Sequence, residues 1–250
     1  TGSREATVFQ NARELKINLK NIDNVFLSHN HKDHTGGLKT LRENYPTSFS
    51  NAHIGEGIFY PRPNSNGTDH YILENKNALE SLGINFKTHI NPSQLMPGLW
   101  TTGQIPRKYD EKNWSELGKM MDLSGNMVED TIPEDQSLFF DTENGVVLIS
   151  GCGHAGLVNT LDYINKIMPD RPIYKIIGGF HLLNLNEDKL EWTARKMEEY
   201  GVKYFVGAHC TGLNSTYSIR NFMNLSSKNA LVGSVGTYIT KKGIFPGYMQ

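Results

Sequence analysis

Between Ser28 and Leu38 the chain reads SHNHKDHTGGL, with His29, His31, Asp33 and His34 inside six residues. Neutral imidazole and carboxylate together suit Zn²⁺, Fe or Mn, with geometry rather than raw affinity selecting among them. In an extended segment, residues two apart face the same way, so His29 and His31 can grip one cation. Asp33 and His34 follow as the chain turns towards a helix and can face a second cation beside the first. A solvated polar loop would explain a lone His-x-His. It does not explain the later histidines. His154 follows the run VVLIS, His181 follows KIIGG and His209 follows YFVGA. In layered α/β folds, loops at the carboxyl ends of strands gather on one edge, where ligands bind.

The elements that must carry these loops alternate along the chain. NVFLSH reads as a strand running into the histidine cluster, and GGLKTLREN as the start of a helix. INFKTHI and GLWTTGQI read as strands. SLFFDTENGVVLIS is a hairpin, because Glu143-Asn144-Gly145 separates two alternating apolar runs. LVNTLDYINKIM has Leu157, Leu161 and Ile164 at helical spacing, and EDKLEWTARKMEEYG is a helix closed by Gly201. IYKIIGGFH and KYFVGAHCTG are strands running into loops, and ALVGSVGTYIT supplies a last strand. From about 107 to 135 the chain is polar, carries Met120, Met121 and Met127, and keeps no period. It is expected to be an insertion or lid.

The totals exclude several classes. A formal charge of −1 over 250 residues gives no electrostatic case for nucleic acid or an anionic membrane. No basic stripe with interleaved aromatics is present, and no apolar run approaches the roughly 20 residues that span a bilayer. Two cysteines, Cys152 and Cys210, make no disulfide framework and fit reduced thiols in a cytoplasmic protein. Small buried packing is the better reading of both, with thiolate ligation as the alternative.

SHNHKDHTGGL resembles the signature of the metallo-β-lactamase superfamily. The later blocks TTGQIPR, GCGHAGLVNTL, GGFHLL, GAHCTG and VGSVGTYI resemble its branch of 7,8-dihydropterin-6-methyl-4-(β-D-ribofuranosyl)aminobenzene 5′-phosphate synthases. The resemblance implies an α/β (α+β) fold, a four-layer αββα sandwich, as a single domain over residues 1–250 with a one- or two-metal site on its edge. TGS at the start resembles the end of an early family strand, so an earlier strand is expected to precede it. Matched residue by residue, His29 and His31 correspond to the pair on the first metal, Asp33 and His34 to the pair on the second, and His209 to the last metal histidine. Two departures stand out. Gln104 lies where a family histidine is usual, and Gly151-Cys152-Gly153-His154 lies where a bridging aspartate is usual. His154 is therefore expected to complete the site.

His181 is open between direct coordination and a supporting role as proton donor or phosphate contact. Asp33 is the best-placed carboxylate to take a proton from an attacking group. Arg107 and His53 are candidate substrate contacts, Arg107 as a bidentate phosphate clamp. The expected activity is metal-dependent chemistry on a small phosphate-bearing substrate. In the branch's form, a dihydropterin methyl diphosphate condenses with an aminobenzene ribofuranosyl phosphate and pyrophosphate departs. One or two divalent ions are expected, zinc first, with Fe or Mn also suited. A hydrolase of a phosphodiester or lactone is the alternative, and a non-catalytic metal-binding sensor the second. A homodimer is left open.

Overall fold

The structure is a computed structural model that describes residues 1–240 and 243–247. The chain divides into two compact units, one of residues 1–90 with 114–135 and the other of residues 91–113 with 136–250.

The first unit carries helix α1 (Thr7–Glu14), strand β1 (Asn24–Phe26), helices α2 (Lys32–Thr35) and α3 (Leu38–Asn44), and strand β2 (Asn51–Gly55). Helices α4 (Tyr71–Glu74) and α5 (Lys76–Ser81) then lead to β3 (Asn85–His89). Strands β1, β2 and β3 form a parallel sheet in that order. Its core comprises Leu27, Leu38, Ala52, Ile54, Ile58, Ile72, Leu79 and Ile84.

Strands β4 (Ser93–Met96) and β5 (Leu99–Thr101) open the second unit. The chain then returns to the first unit with a small antiparallel hairpin, β6 (Lys119–Met121) and β7 (Met127–Glu129). The stretch expected as an insertion is therefore shared: residues 107–113 fold with the second unit and 114–135 with the first. Its only strands are the short pair β6 and β7, three residues each among the described residues, too brief to show a period in sequence.

The second unit continues with β8 (Leu138–Thr142), β9 (Gly145–Ser150), α6 (Leu157–Ile167), β10 (Ile173–Gly178), α7 (Glu187–Glu199), β11 (Tyr204–Gly207), α8 (Leu213–Phe222) and β12 (Ala230–Val232). Seven strands make one sheet in the order β12-β11-β10-β9-β8-β5-β4. Its β9–β12 part is parallel. Alternation along β9 sends Val146 and Leu148 into the core, where Leu157, Leu161 and Ile164 of α6 and Leu190, Ala194 and Met197 of α7 meet them. The Asn186 side chain caps α7 by accepting the Lys189 amide at 3.0 Å, and Glu187 and Asp188 sit in its first turn.

The expected hairpin is β8–β9, turning at Glu143-Asn144 with Gly145 already paired to Thr142. The expected single last strand is two: β12, then β13 (Tyr238–Thr240), which pairs with β14 (Gly243–Phe245). Residues 233–237 turn between them, and Gly236 adopts φ +87°. Three glycine and serine positions there end the first strand early, a break that β-branched composition masks.

Candidate metal centre

In the first unit, β1 ends at Phe26 and the buried His29 lies in the loop that follows. His31 precedes the short helix α2, which carries Asp33 and His34. The ring centroids of His29 and His31 are 4.6 Å apart and those of His29 and His34 4.2 Å apart. Ser28 Oγ lies 3.0 Å from His29 Nδ1 and 3.3 Å from His34 Nδ1, so one hydroxyl orients two imidazoles by the same ring atom. Burial, partly opposed by Asp33, lowers the pKa of His31, which favours the neutral, ligating form. His34 Nε2 lies 3.4 Å from Asp33 Oδ2, and the Asp33 side chain is 37 % exposed. Gly36 and Gly37 answer to backbone crowding rather than to an ion. A Cβ on them would come within 2.8 Å of the Lys32 carbonyl and 2.0 Å of the Thr1 carbonyl respectively.

A buried brace holds this loop. The Asn30 amide, between His29 and His31, donates to Glu134 Oε1 at 3.2 Å. The other carboxylate oxygen accepts from Arg62 Nη2 at 2.7 Å, and Arg62 Nε donates to Asp130 Oδ2 at 2.6 Å. Glu134 is fully buried, and burial lifts its pKa to about 7 against the pull of Arg62. Sequence reasoning missed Arg62 and Glu134. Arg62 sits between two prolines in a polar stretch and Glu134 lies 72 residues further on, so the sequence carried no signal of the pair.

In the second unit, the loops after β9, β10 and β11 bring Cys152, His154, His181, His209 and Cys210 into two overlapping groups. Donor atoms of Cys152, His154 and His181 lie within 4.8 Å of one another, and so do those of Cys152, His209 and Cys210. The His154 and His181 ring centroids are 4.5 Å apart. His181 and His209 both have φ +51°, a left-handed backbone that costs non-glycine residues of order 1–3 kcal/mol and concentrates at functional sites. The Cys152 thiol, and after it His181, hold the Cys210 thiol down at about 4 although burial opposes this.

His154 is fixed in one tautomer. Its Nδ1 lies 2.5 Å from the Asn113 carbonyl oxygen, which can only accept, so Nδ1 carries a proton and, in the neutral ring, Nε2 keeps its lone pair. That is the form a metal ligand requires. Residues 107–113 clamp the same loop. Arg107 Nη1 donates to the His154 carbonyl at 2.8 Å, and Asn113 Nδ2 to the Gly153 carbonyl at 2.9 Å. The Glu111 carboxylate accepts the Val158 and Asn159 amides at 3.0 and 2.8 Å, capping α6, and burial raises its pKa to about 6. Gly156, at φ +99°, is required there, since a Cβ would sit 2.3 Å from a Glu111 oxygen.

The two candidate substrate residues have these surroundings. Both ring nitrogens of His53 are engaged inside the first unit's sheet, Nδ1 with His89 Nε2 and Nε2 with Asn24 Oδ1, each at 2.9 Å. Both ring nitrogens of His53 thus have partners within that sheet. Arg107 spends a guanidinium nitrogen on the His154 backbone. The residues fit a metal on chemical grounds: oriented imidazoles, a carboxylate and soft thiols are the donors that Zn²⁺ and its neighbours take.

Residues 1–209 match the metallo-β-lactamase superfamily, and the chain belongs to that family. Its fold is the family's α/β sandwich. The chain is 32 % identical over 223 residues to the 7,8-dihydropterin-6-methyl-4-(β-D-ribofuranosyl)-aminobenzene-5′-phosphate synthase of Methanocaldococcus jannaschii, covering 86 % of this chain and 75 % of that protein. It is 26 % identical to an uncharacterized protein of the same organism, MJ0448, over 92 % of this chain and 85 % of the other. The solved structure of Tm1679, a metal-dependent hydrolase of the β-lactamase superfamily, matches with a TM-score of 0.74 and 25 % identity, over 90 % of this chain and 82 % of that one. The synthase and Tm1679 carry the names of enzymes. Among the described residues no helix is long and apolar enough to cross a membrane.

Proposed function

We propose that the chain is a metal-dependent enzyme acting on a small phosphate-bearing substrate. In its specific form, a dihydropterin methyl diphosphate condenses with an aminobenzene ribofuranosyl phosphate and pyrophosphate departs. The similarity to the M. jannaschii synthase over 86 % of the chain carries this reading. His29, His31, Asp33, His34, His154 and His209 are the proposed ligands for one or two divalent ions, zinc first. When bound, such ions supply Lewis acidity to phosphoryl oxygens and neutralise charge on a departing diphosphate.

The chain's own residues supply the proton chemistry. Asp33, partly exposed beside His34, accepts the proton that the aryl amine sheds as its nitrogen bonds to the pterin methylene carbon. His181 donates a proton to the diphosphate oxygen as the carbon–oxygen bond breaks, or steadies the ligands. Arg107, which donates to the His154 carbonyl, and His53 are the proposed substrate contacts. Residues 1–250 acting as one domain, with 107–135 bearing on specificity, a cytoplasmic location and an open homodimer belong to the same proposal.

The test is pyrophosphate release from both substrates together, abolished by chelator and restored by Zn²⁺, Fe²⁺ or Mn²⁺. No release from the metal-loaded protein would rule the condensation out. A hydrolase of a phosphodiester or lactone is the second reading, supported by the likeness to Tm1679, which is named a metal-dependent hydrolase. Chelator-sensitive turnover of chromogenic phosphodiesters or lactones would favour it, and inertness towards all of them would remove it. Either turnover excludes a purely metal-binding sensor.

A further inference from the structure

Strand β10 lies between β9 and β11 in the sheet, so the loops after β9 and β11 start about 10 Å apart, two strand spacings. Cys152 belongs to the first loop and Cys210 to the second. Nevertheless their sulfur atoms lie within 4.8 Å of each other, and Cys210 Sγ is 3.5 Å from the Cys152 carbonyl. They converge over the end of the middle strand, where Gly178 and Gly179 have no side chain. A Cβ on Gly178 would lie 2.0 Å from the Ser150 carbonyl oxygen. On Gly179 it would lie 2.2 Å from the Gly151 carbonyl oxygen and 2.8 Å from Cys210 Sγ. Gly179 leaves the space that Cys210 Sγ occupies, and Gly178 lets the end of β10 approach Ser150.

We propose that Cys152 and Cys210 form a redox-modification site, closing to a disulfide when the protein meets a hydroperoxide. Cys210, the less buried of the two, attacks the peroxide oxygen. The O–O bond breaks, an alcohol or water leaves, and Cys210 becomes a sulfenic acid. Cys152 sulfur then attacks Cys210 sulfur, the S–O bond breaks and water departs with the thiol proton. Two thiols lose two electrons and two protons, and the hydroperoxide is reduced by the same count. A dithiol reductant reverses the change through a mixed disulfide. The bond would staple the segment of His154 to that of His209 across β10. The cysteine chemistry stands independently of which reaction the enzyme performs.

The experiment treats the purified full chain, both as isolated and after chelator dialysis, with one equivalent of hydrogen peroxide. Intact mass should fall by two hydrogens, and trypsin should release peptide 120–166 joined to peptide 204–220. Dithiothreitol should separate them. Cys152→Ser, with wild-type circular dichroism, should lack the joined pair and accumulate a dimedone-reactive Cys210. Both thiols remaining titratable in both preparations, or wild-type Cys210 advancing to sulfinic acid without joined peptides, would overturn the proposal.

Discussion

Replacing Arg62 by methionine tests the brace behind the histidine loop. It removes the cation between Glu134, which is 0 % exposed, and Asp130, which is 8 % exposed. At an effective dielectric of 20, each carboxylate–guanidinium pair contributes about 4 kcal/mol of attraction. Desolvation cancels much of that in the intact triad, but removing one partner strands the others. The expected loss is about 3–5 kcal/mol of unfolding free energy. Glu134→Gln alone keeps an acceptor for the Asn30 amide and loses one charged hydrogen bond, about 1.5–3 kcal/mol. The double variant should cost less than the sum by about 1–3 kcal/mol, since it no longer buries the Glu134 charge. Glu134 has a folded pKa raised from 4.5 to about 7, so the folded state holds the extra proton between those values. Its contribution to stability therefore falls as pH rises from about 4.5 to about 7. The Arg62→Met penalty should be largest at pH 8 and smaller at pH 5. Urea unfolding at both pH values, with hydrogen exchange at the Asn30 amide, provides the assay. A cost under about 1 kcal/mol, or a double variant at or beyond additivity, would refute the reasoning.

His154→Ala should release metal. Elemental analysis of wild type should give one or two ions per chain, and the variant should hold clearly less; equal content would remove His154 from the ligands. Burial first, then His89 and Lys87, depress the pKa of His53 to about 4. A base with a lowered folded pKa stabilises above its unfolded value of 6.5 and loses that contribution as pH falls towards 4. A His53 nuclear magnetic resonance titration with a midpoint near 6.5 would contradict the buried pair. Gly179→Ala should destabilise by about 1–3 kcal/mol, because its Cβ meets backbone that cannot yield. A melting temperature unchanged from wild type would show that the end of β10 is open enough to admit a methyl group.

The parallel strands of the second unit were legible because each buried run, such as Val146 to Leu148 or Ile173 to Ile177, is bounded by glycine and followed by an amphipathic helix. The histidines that follow them were equally plain. What the sequence concealed lies in long-range side-chain pairing. Glu134 is 104 residues from Asn30 and 72 from Arg62, separations at which no periodicity exists. The Asn113 carbonyl that sets the His154 tautomer is a backbone atom and leaves no trace in residue type. His53 is ambiguous for a related reason. A histidine after a strand reads the same whether it faces a ligand or, as here, a neighbouring strand's His89. Cys152 and Cys210 looked like filler because the glycine that leaves space for Cys210 Sγ belongs to a third segment.

The first unit is interrupted in sequence by residues 91–113, and the anchor of its histidine loop arrives only with Glu134. During synthesis at about 5–20 residues per second, the loop waits roughly 5 to 20 s for that anchor after Asn30 is made. In that interval His29, His31 and His34 stand on a nascent chain whose backbone amide at Asn30 has only water for a partner. A metal met too early would find these ligands in a loose loop that can chelate in several ways. Residue 134 thus sets the earliest moment at which this first histidine loop is held in one shape, with the proposed ligands His154 and His209 following later still.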